Sequence, residues 1–204
     1  MTPAGRAFWV RQLHLWHWVS AAISLVGMLA FAVTGITLNH AADIPTKPKV
    51  MTLEGVIPQA LRDELAVSAG DAKRPLPADL QRWLLDELSL RVGERAAEWS
   101  DDEIYLALPR PGGDAWLSVD LASGEALYEE TSRGWVSYFN DLHKGRSTGV
   151  AWAWYIDIFA AACIVFSITG LVLLQLHATR RPSTWPMVGF GFLGPLLLII
   201  LFIH

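Results

Sequence analysis

The sequence predicts an α-helical membrane protein: three transmembrane helices, with a small external α+β domain between the first and the second. Three observations carry that prediction. Three apolar runs are each long enough to cross a bilayer core as a helix. About a hundred polar residues lie between the first run and the other two, and there helix-period and strand-period patterns alternate with turn residues. All six histidines sit at the ends of apolar runs. With 52 % hydrophobic residues the chain is too apolar for an ordinary soluble domain.

Residues 1–41 read as a cytoplasmic N-terminus and first span, with twenty uncharged, mostly apolar residues at 19–38. Arg6 and Arg11 precede this run as in a signal peptide. The run exceeds the roughly 7–15 residues of a cleavable core, which predicts a retained anchor; cleavage after Ala41 or Ala42 is the alternative.

Residues 42–145 read as the external domain. Residues 44–50, with two prolines and two lysines, predict a linker, and 52–68 a short helix that Pro58 weakens in its first turn. Residues 78–92 are a clearer helix, with Leu80, Leu84, Leu85, Leu88 and Val92 on one face. Strands follow at 104–108, 116–121 and 125–130, joined by turns at Pro111-Gly112-Gly113-Asp114 and Ser123-Gly124. This is one helix pattern packed on an antiparallel meander.

The second span is 146–178, apolar over 150–176 except for Asp157; 179–185 is a loop, and 186–204 the third span, with Pro195 as a kink. Charge gives the orientation. Arg6, Arg11, Arg180 and Arg181 flank the spans on one side, whereas 41–145 carries nineteen acidic residues against eleven Lys or Arg, a net of minus eight. The positive-inside rule puts the N-terminus and the 179–185 loop in the cytoplasm. In a bacterial inner membrane the domain is then periplasmic. Trp9, Trp16, Trp18 and Trp185 belt the inner interface, and Trp135, Trp152 and Trp154 the outer.

The acidic excess argues against nucleic-acid binding. Residues 42–140 hold neither His nor Cys, and no Ser-His-Asp set, H-E-x-x-H or phosphate loop is read there. The single cysteine, Cys163, reads as a packing residue; it leaves no c-type haem attachment and no intrachain disulfide.

Chemistry is therefore sought among the histidines. His14, His17 and His177 share one membrane face; His40, His143 and His204 share the other. Imidazole is a usual axial ligand of haem iron and a common transition-metal ligand. The plainer alternative for each is an interfacial ring reaching into the headgroups. Lys144 and Arg146 are placed to hold a haem propionate or another anion beside His143. Asp157 is a carboxylate inside a span, read as part of a proton path or as an anchor for Lys144 or Arg146.

The first two spans also resemble each other. Each opens with Leu-His (13–14 and 142–143) and closes with Thr-Gly followed by His (34–40 and 169–177), a weak inverted repeat. It sets His14 or His17 against His177, and His40 against His143. Gly35 and Gly170 allow close helix approach for packing, or room for a porphyrin edge. His17 and His40 lie 23 residues apart, about 35 Å along a helix. Two haems would then sit at opposite surfaces of the bilayer, so one haem, two or none stays open.

The runs L-H-L-W-H-W (13–18), T-G-I-T-L-N-H (34–40), W-L-S-V-D-L-A-S-G-E (116–125) and Y-F-N-D-L-H-K-G-R-S-T-G (138–149) make the chain similar to the PepSY-associated transmembrane family. The resemblance implies a PepSY-like external domain. It also implies kinship with siderophore-linked ferric reductases, whose membrane histidines hold haem b; His14, His40 and His143 match family positions, His177 less closely, and His17 is ambiguous. No flavin or nicotinamide motif is read, so a complete reductase needs an electron donor elsewhere. The leading expectation is a haem-b electron carrier, a component that reduces ferric chelates. One alternative is a membrane-tethered module binding a periplasmic partner such as a peptidase; another is a metal-uptake accessory using His40, His143 and His204. Three helices enclose little, which predicts a homodimer or a larger membrane complex.

Overall fold

A computed structural model describes residues 2–70 and 72–203. His204 lies outside the described residues. The chain runs α1 (Pro3–Asn39), β1 (Lys49–Val56), α2 (Gln59–Val67), β2 (Ala72–Pro75), α3 (Ala78–Leu88), β3 (Ala96–Trp99), β4 (Glu103–Ala107), β5 (Gly113–Asp120), β6 (Glu125–Ser132), α4 (Trp135–Lys144), α5 (Val150–His177) and α6 (Thr184–Phe202). A single 3-10 turn, Ala178–Arg180, follows α5. Helices α1, α5 and α6 are long and apolar enough to cross a membrane. Helix α1 starts sixteen residues before the apolar run that marks it, because no Gly or Pro interrupts 6–18.

Two compact units divide the chain, one of residues up to 31 together with 154 onward, the other of residues 32–153. In the first, α1 and α5 meet through small residues. Ser20, Ser24 and Gly27 are the buried residues of α1, spaced four and three apart on one face. The Phe159 ring fills the place a Gly27 side chain would take, and Phe31 stacks on it at 4.9 Å. Helix α6 runs through Pro195 and has no buried residue. Its Gly189–Gly194 stretch has the G-x-G-x-x-G spacing, which corrects the sequence reading. It lies inside a helix with no strand before it, so it is not a dinucleotide turn.

The second unit holds a six-stranded antiparallel sheet in the order β1-β6-β5-β4-β3-β2. Helices α2 and α3 bring Leu65, Leu80 and Leu84 to a core with Trp99, Ile104, Leu106, Leu117, Val119 and Tyr128 from the sheet. The expected helix at 52–68 is half wrong. Residues 49–56 form β1 against β6, and Pro58, which cannot continue a strand ladder, starts α2 instead. Lys49 and Val50 of the expected linker belong to β1, and strands β2 and β3 were not foreseen. The helix expected at 78–92 ends at Leu88, where Ser89 turns left-handed (φ 54°).

Helix α4, separate from α5, belongs to this unit, and its side chains explain why the last turns of α1 do too. Thr37 donates to Asn140 Oδ1 (2.8 Å), and Thr34 Oγ1 lies 2.7 Å from His143 Nδ1.

Candidate histidine sites

In the first unit, His17 is half-buried against α5. Its Nδ1 is 3.0 Å from Thr169 Oγ1, and its ring stacks on Phe166 at 4.6 Å and 14°. Thr169 is buried, and its hydroxyl donates to the Val165 carbonyl at 2.7 Å. With its one proton given to a carbonyl, the hydroxyl accepts from His17, so Nδ1 carries the hydrogen. In that tautomer the lone pair is on Nε2. Gly170 makes the approach possible: a side chain there would meet the imidazole Cε1 at 3.3 Å.

Beside it runs a groove of about 800 Å³ lined by His17, Phe166, Gly170, Leu174, His177 and Arg181, among others. His177 Nδ1 donates to the Leu173 carbonyl at 2.8 Å, which also leaves Nε2 as its free donor atom. One apolar groove therefore holds two imidazoles of the same tautomer, with Arg181 and Thr184 also in its lining. Apolar walls with a few fixed polar groups are the usual build of a cofactor pocket.

The second unit repeats the contact. His143 meets Thr34, and a side chain at Gly35 would stand 3.6 Å from its Cε1. The repeat seen in the sequence is thus a His against a Thr-Gly pair, made twice. In the first copy the partner is His17 rather than His14. The sequence marks Thr34 and Thr169 as able to hydrogen-bond a backbone carbonyl, which Thr169 does with Val165 (2.7 Å), but not as partners of a histidine, although Thr before Gly in both helices is the signal. Ser20 and Ser24, a small-xxx-small pair, carried an equally readable packing signal.

The other candidates are placed as follows. His14 is exposed, with Nδ1 on its own Val10 carbonyl (2.8 Å). His40 is exposed and pairs with Asp43 at 3.3 Å. Lys144 pairs with Asp141 at 3.4 Å, and Arg146 is exposed. Asp157 is exposed on α5, and the carboxylate that Lys144 meets is Asp141 of α4. Among the described residues no group of three His, Cys, Asp or Glu is arranged to hold a metal ion.

Sequence reading missed Asn140 and Asp141, both buried. Asp141 Oδ2 accepts the Gly112 N–H at 2.9 Å and has Arg133 at 3.9 Å. Gly112 has φ +71°, and a side chain there would meet Tyr138 Cα at 2.6 Å. The N-D-L-H-K-G run (140–145) is thus a clamp: Asp141 holds the β4–β5 turn while Asn140 and His143 hold α1.

In the sheet, Asp120 closes the β5–β6 turn by accepting from Ser123 N (2.6 Å), Ala122 N (2.9 Å) and Ser123 Oγ (2.9 Å). The backbone bond from Ser123 above all holds its carboxyl below its ordinary value. Burial, helped by the bond to Glu130, pushes the Tyr128 phenol up. On the open face, Tyr105 and Trp116 stack with centroids 6.3 Å apart.

Compared with known proteins, the chain matches the family model described as "Putative PepSY_TM-like" over residues 8–204. No curated protein matches, and no solved structure does.

Proposed function

The chain belongs to the PepSY_TM-like family, and from that premise we propose that it is a haem-b-binding membrane electron-transfer protein, with His17 and His177 as the iron ligands. The observation that supports this is the pair of imidazoles in one groove, each with Nδ1 engaged. A metal-binding imidazole ordinarily donates its other N–H to a fixed acceptor, which sets its tautomer and raises its basicity. Here the acceptors are Thr169 Oγ1 and the Leu173 carbonyl.

These residues fit the group. Two Nε2 lone pairs suit an iron porphyrin, Phe166, Leu171 and Leu174 suit its apolar faces, and Arg181 and Thr184 suit its carboxylates. When bound, haem b supplies a one-electron ferric/ferrous couple. The chain's part would be to hold the iron and to fix the imidazole planes through Thr169 and the Leu173 carbonyl. A separate donor supplies the electron; because His17 and His177 lie at the cytoplasmic end of the spans, a periplasmic ferric chelate, the acceptor class the family resemblance favours, also needs a further carrier toward the outer face. The N-terminus is cytoplasmic, residues 42–145 are periplasmic, and a second copy or a larger complex covers α6, which buries nothing within this chain.

A second reading, a tethered module for a periplasmic protein, is favoured by the Tyr105–Trp116 stack on the uncovered sheet face. The two readings separate by mutation. Under the first, His17→Ala and His177→Ala each abolish the b-type spectrum of correctly inserted protein, while His40→Ala leaves it. Under the second, all three leave the cofactor content at background, and Trp116→Ala weakens partner capture.

A further inference from the structure

Helix α4 is packed inside out. Its polar residues Asn140 and Asp141 are 5 % and 4 % exposed, whereas Trp135 is 76 % and Phe139 47 % exposed. Trp135, Tyr138 and Phe139 form one ring cluster, with centroids 5.6–6.3 Å apart. Among the described residues of the unit, Tyr138 packs with its backbone on the Gly112 turn, while the Trp135 and Phe139 rings stay open.

The location of α4 says what covers them. Its last turn is pinned to the first turn of α5, where Trp152 Nε1 donates to the Leu142 carbonyl at 2.9 Å. Its inner face is tied to the closing turns of α1 through Asn140–Thr37 and His143–Thr34. Both α1 and α5 are of membrane-crossing length and hydropathy, so α4 lies where two spans leave the hydrocarbon. Indole and phenol rings, apolar with one polar atom, prefer the headgroup level of a bilayer. At the C-terminal end, Lys144 and Arg146 are exposed cations beside that level.

We propose that α4 is an interfacial helix whose Trp135–Tyr138–Phe139 face is embedded in the outer headgroup region, so that the lipid surface is the docking partner of this element. The bilayer, and no protein, covers the rings. Asp141 then fastens the sheet domain to a membrane-seated helix, which fixes the height of the domain above the lipid. This inference is independent of haem binding.

The test uses the full chain, with Cys163→Ala as background, in nanodiscs of phosphatidylcholine and phosphatidylglycerol. A nitroxide is attached at Trp135→Cys and, in a separate variant, at Phe139→Cys, so that either site reports if the other change unfolds α4. Val67→Cys, 89 % exposed on α2, is the aqueous reference, and Ile168→Cys on α5 the hydrocarbon reference. Oxygen and a polar nickel chelate serve as collision reagents. The expected oxygen-to-nickel ratio at 135 and 139 is several-fold above that at 67, approaching that at 168. A ratio equal to that at 67 puts the face in water and overturns the proposal. Exclusion of both reagents means that protein covers the face, and overturns it equally.

Discussion

Thr169 gives its hydroxyl proton to the Val165 carbonyl and takes the His17 Nδ1 hydrogen in return, so one residue sets both the tautomer and the angle of a candidate ligand. Thr169→Val removes that acceptor with little change of volume. Loss of an outer partner of this kind lowers affinity about 10–100-fold, so haem titration should show that loss for Thr169→Val and recovery in Thr169→Ser. At the other end of the molecule, Asp120 makes a pH prediction. Its folded carboxyl titrates below its ordinary value, so its stabilisation is complete above that value and is lost as pH falls through the depressed one. Asp120→Asn keeps an oxygen acceptor but cannot ionise. Its melting temperature, followed by the sheet signal, should lie below that of the unaltered chain at pH 7, and the gap should close in acid. Residue types were legible here and partners were not. The histidines stood out, but the choice of His17 over His14 depends on how α1 is rotated against α5, which Ser20, Ser24 and Gly27 decide.

At the scale of elements, α4 is the joint. Three of its polar side chains tie it to two segments: Asn140 and His143 to Thr37 and Thr34 of α1, and Asp141 to the Gly112 turn. Asp141→Ala leaves a buried Gly112 N–H unsatisfied, a cost of about 1–3 kcal/mol. Gly112→Ala forces a side chain onto the Tyr138 backbone at a positive φ, a strain of the same order, about 1–3 kcal/mol. Because both break one contact, the double variant should fall short of the sum of the two in a denaturation experiment. The sequence showed α3, β4, β5 and β6 by clean periodicity. It hid β1 because the alternation of Met51 to Glu54 is short, is broken by Val50 beside Met51 and by Gly55, and leads straight into α2. Strands β2 and β3 were hidden because four residues are too few to show a period. An amphipathic helix with its polar side inward reads from sequence as ordinary, and only its neighbours reveal the inversion.

Across the whole molecule the repeated contact of a histidine with a Thr-Gly pair unites the account. The three helices of membrane-crossing length were readable from hydropathy, and part of the sheet and its helices from periodicity, because membrane-length apolar runs have few other uses. The contacts of the histidines were not, since in sequence an interfacial histidine and one held against a Thr-Gly pair look alike. The most direct measurement is the reduced-minus-oxidised visible spectrum of the full chain, purified in mild detergent after expression with added haem precursor, with haem quantified against protein. The account predicts a sharp b-type α band at near one haem per chain, absent from the His17→Ala and His177→Ala proteins. A flat spectrum from folded, monodisperse protein, or a band that survives both substitutions, would contradict it.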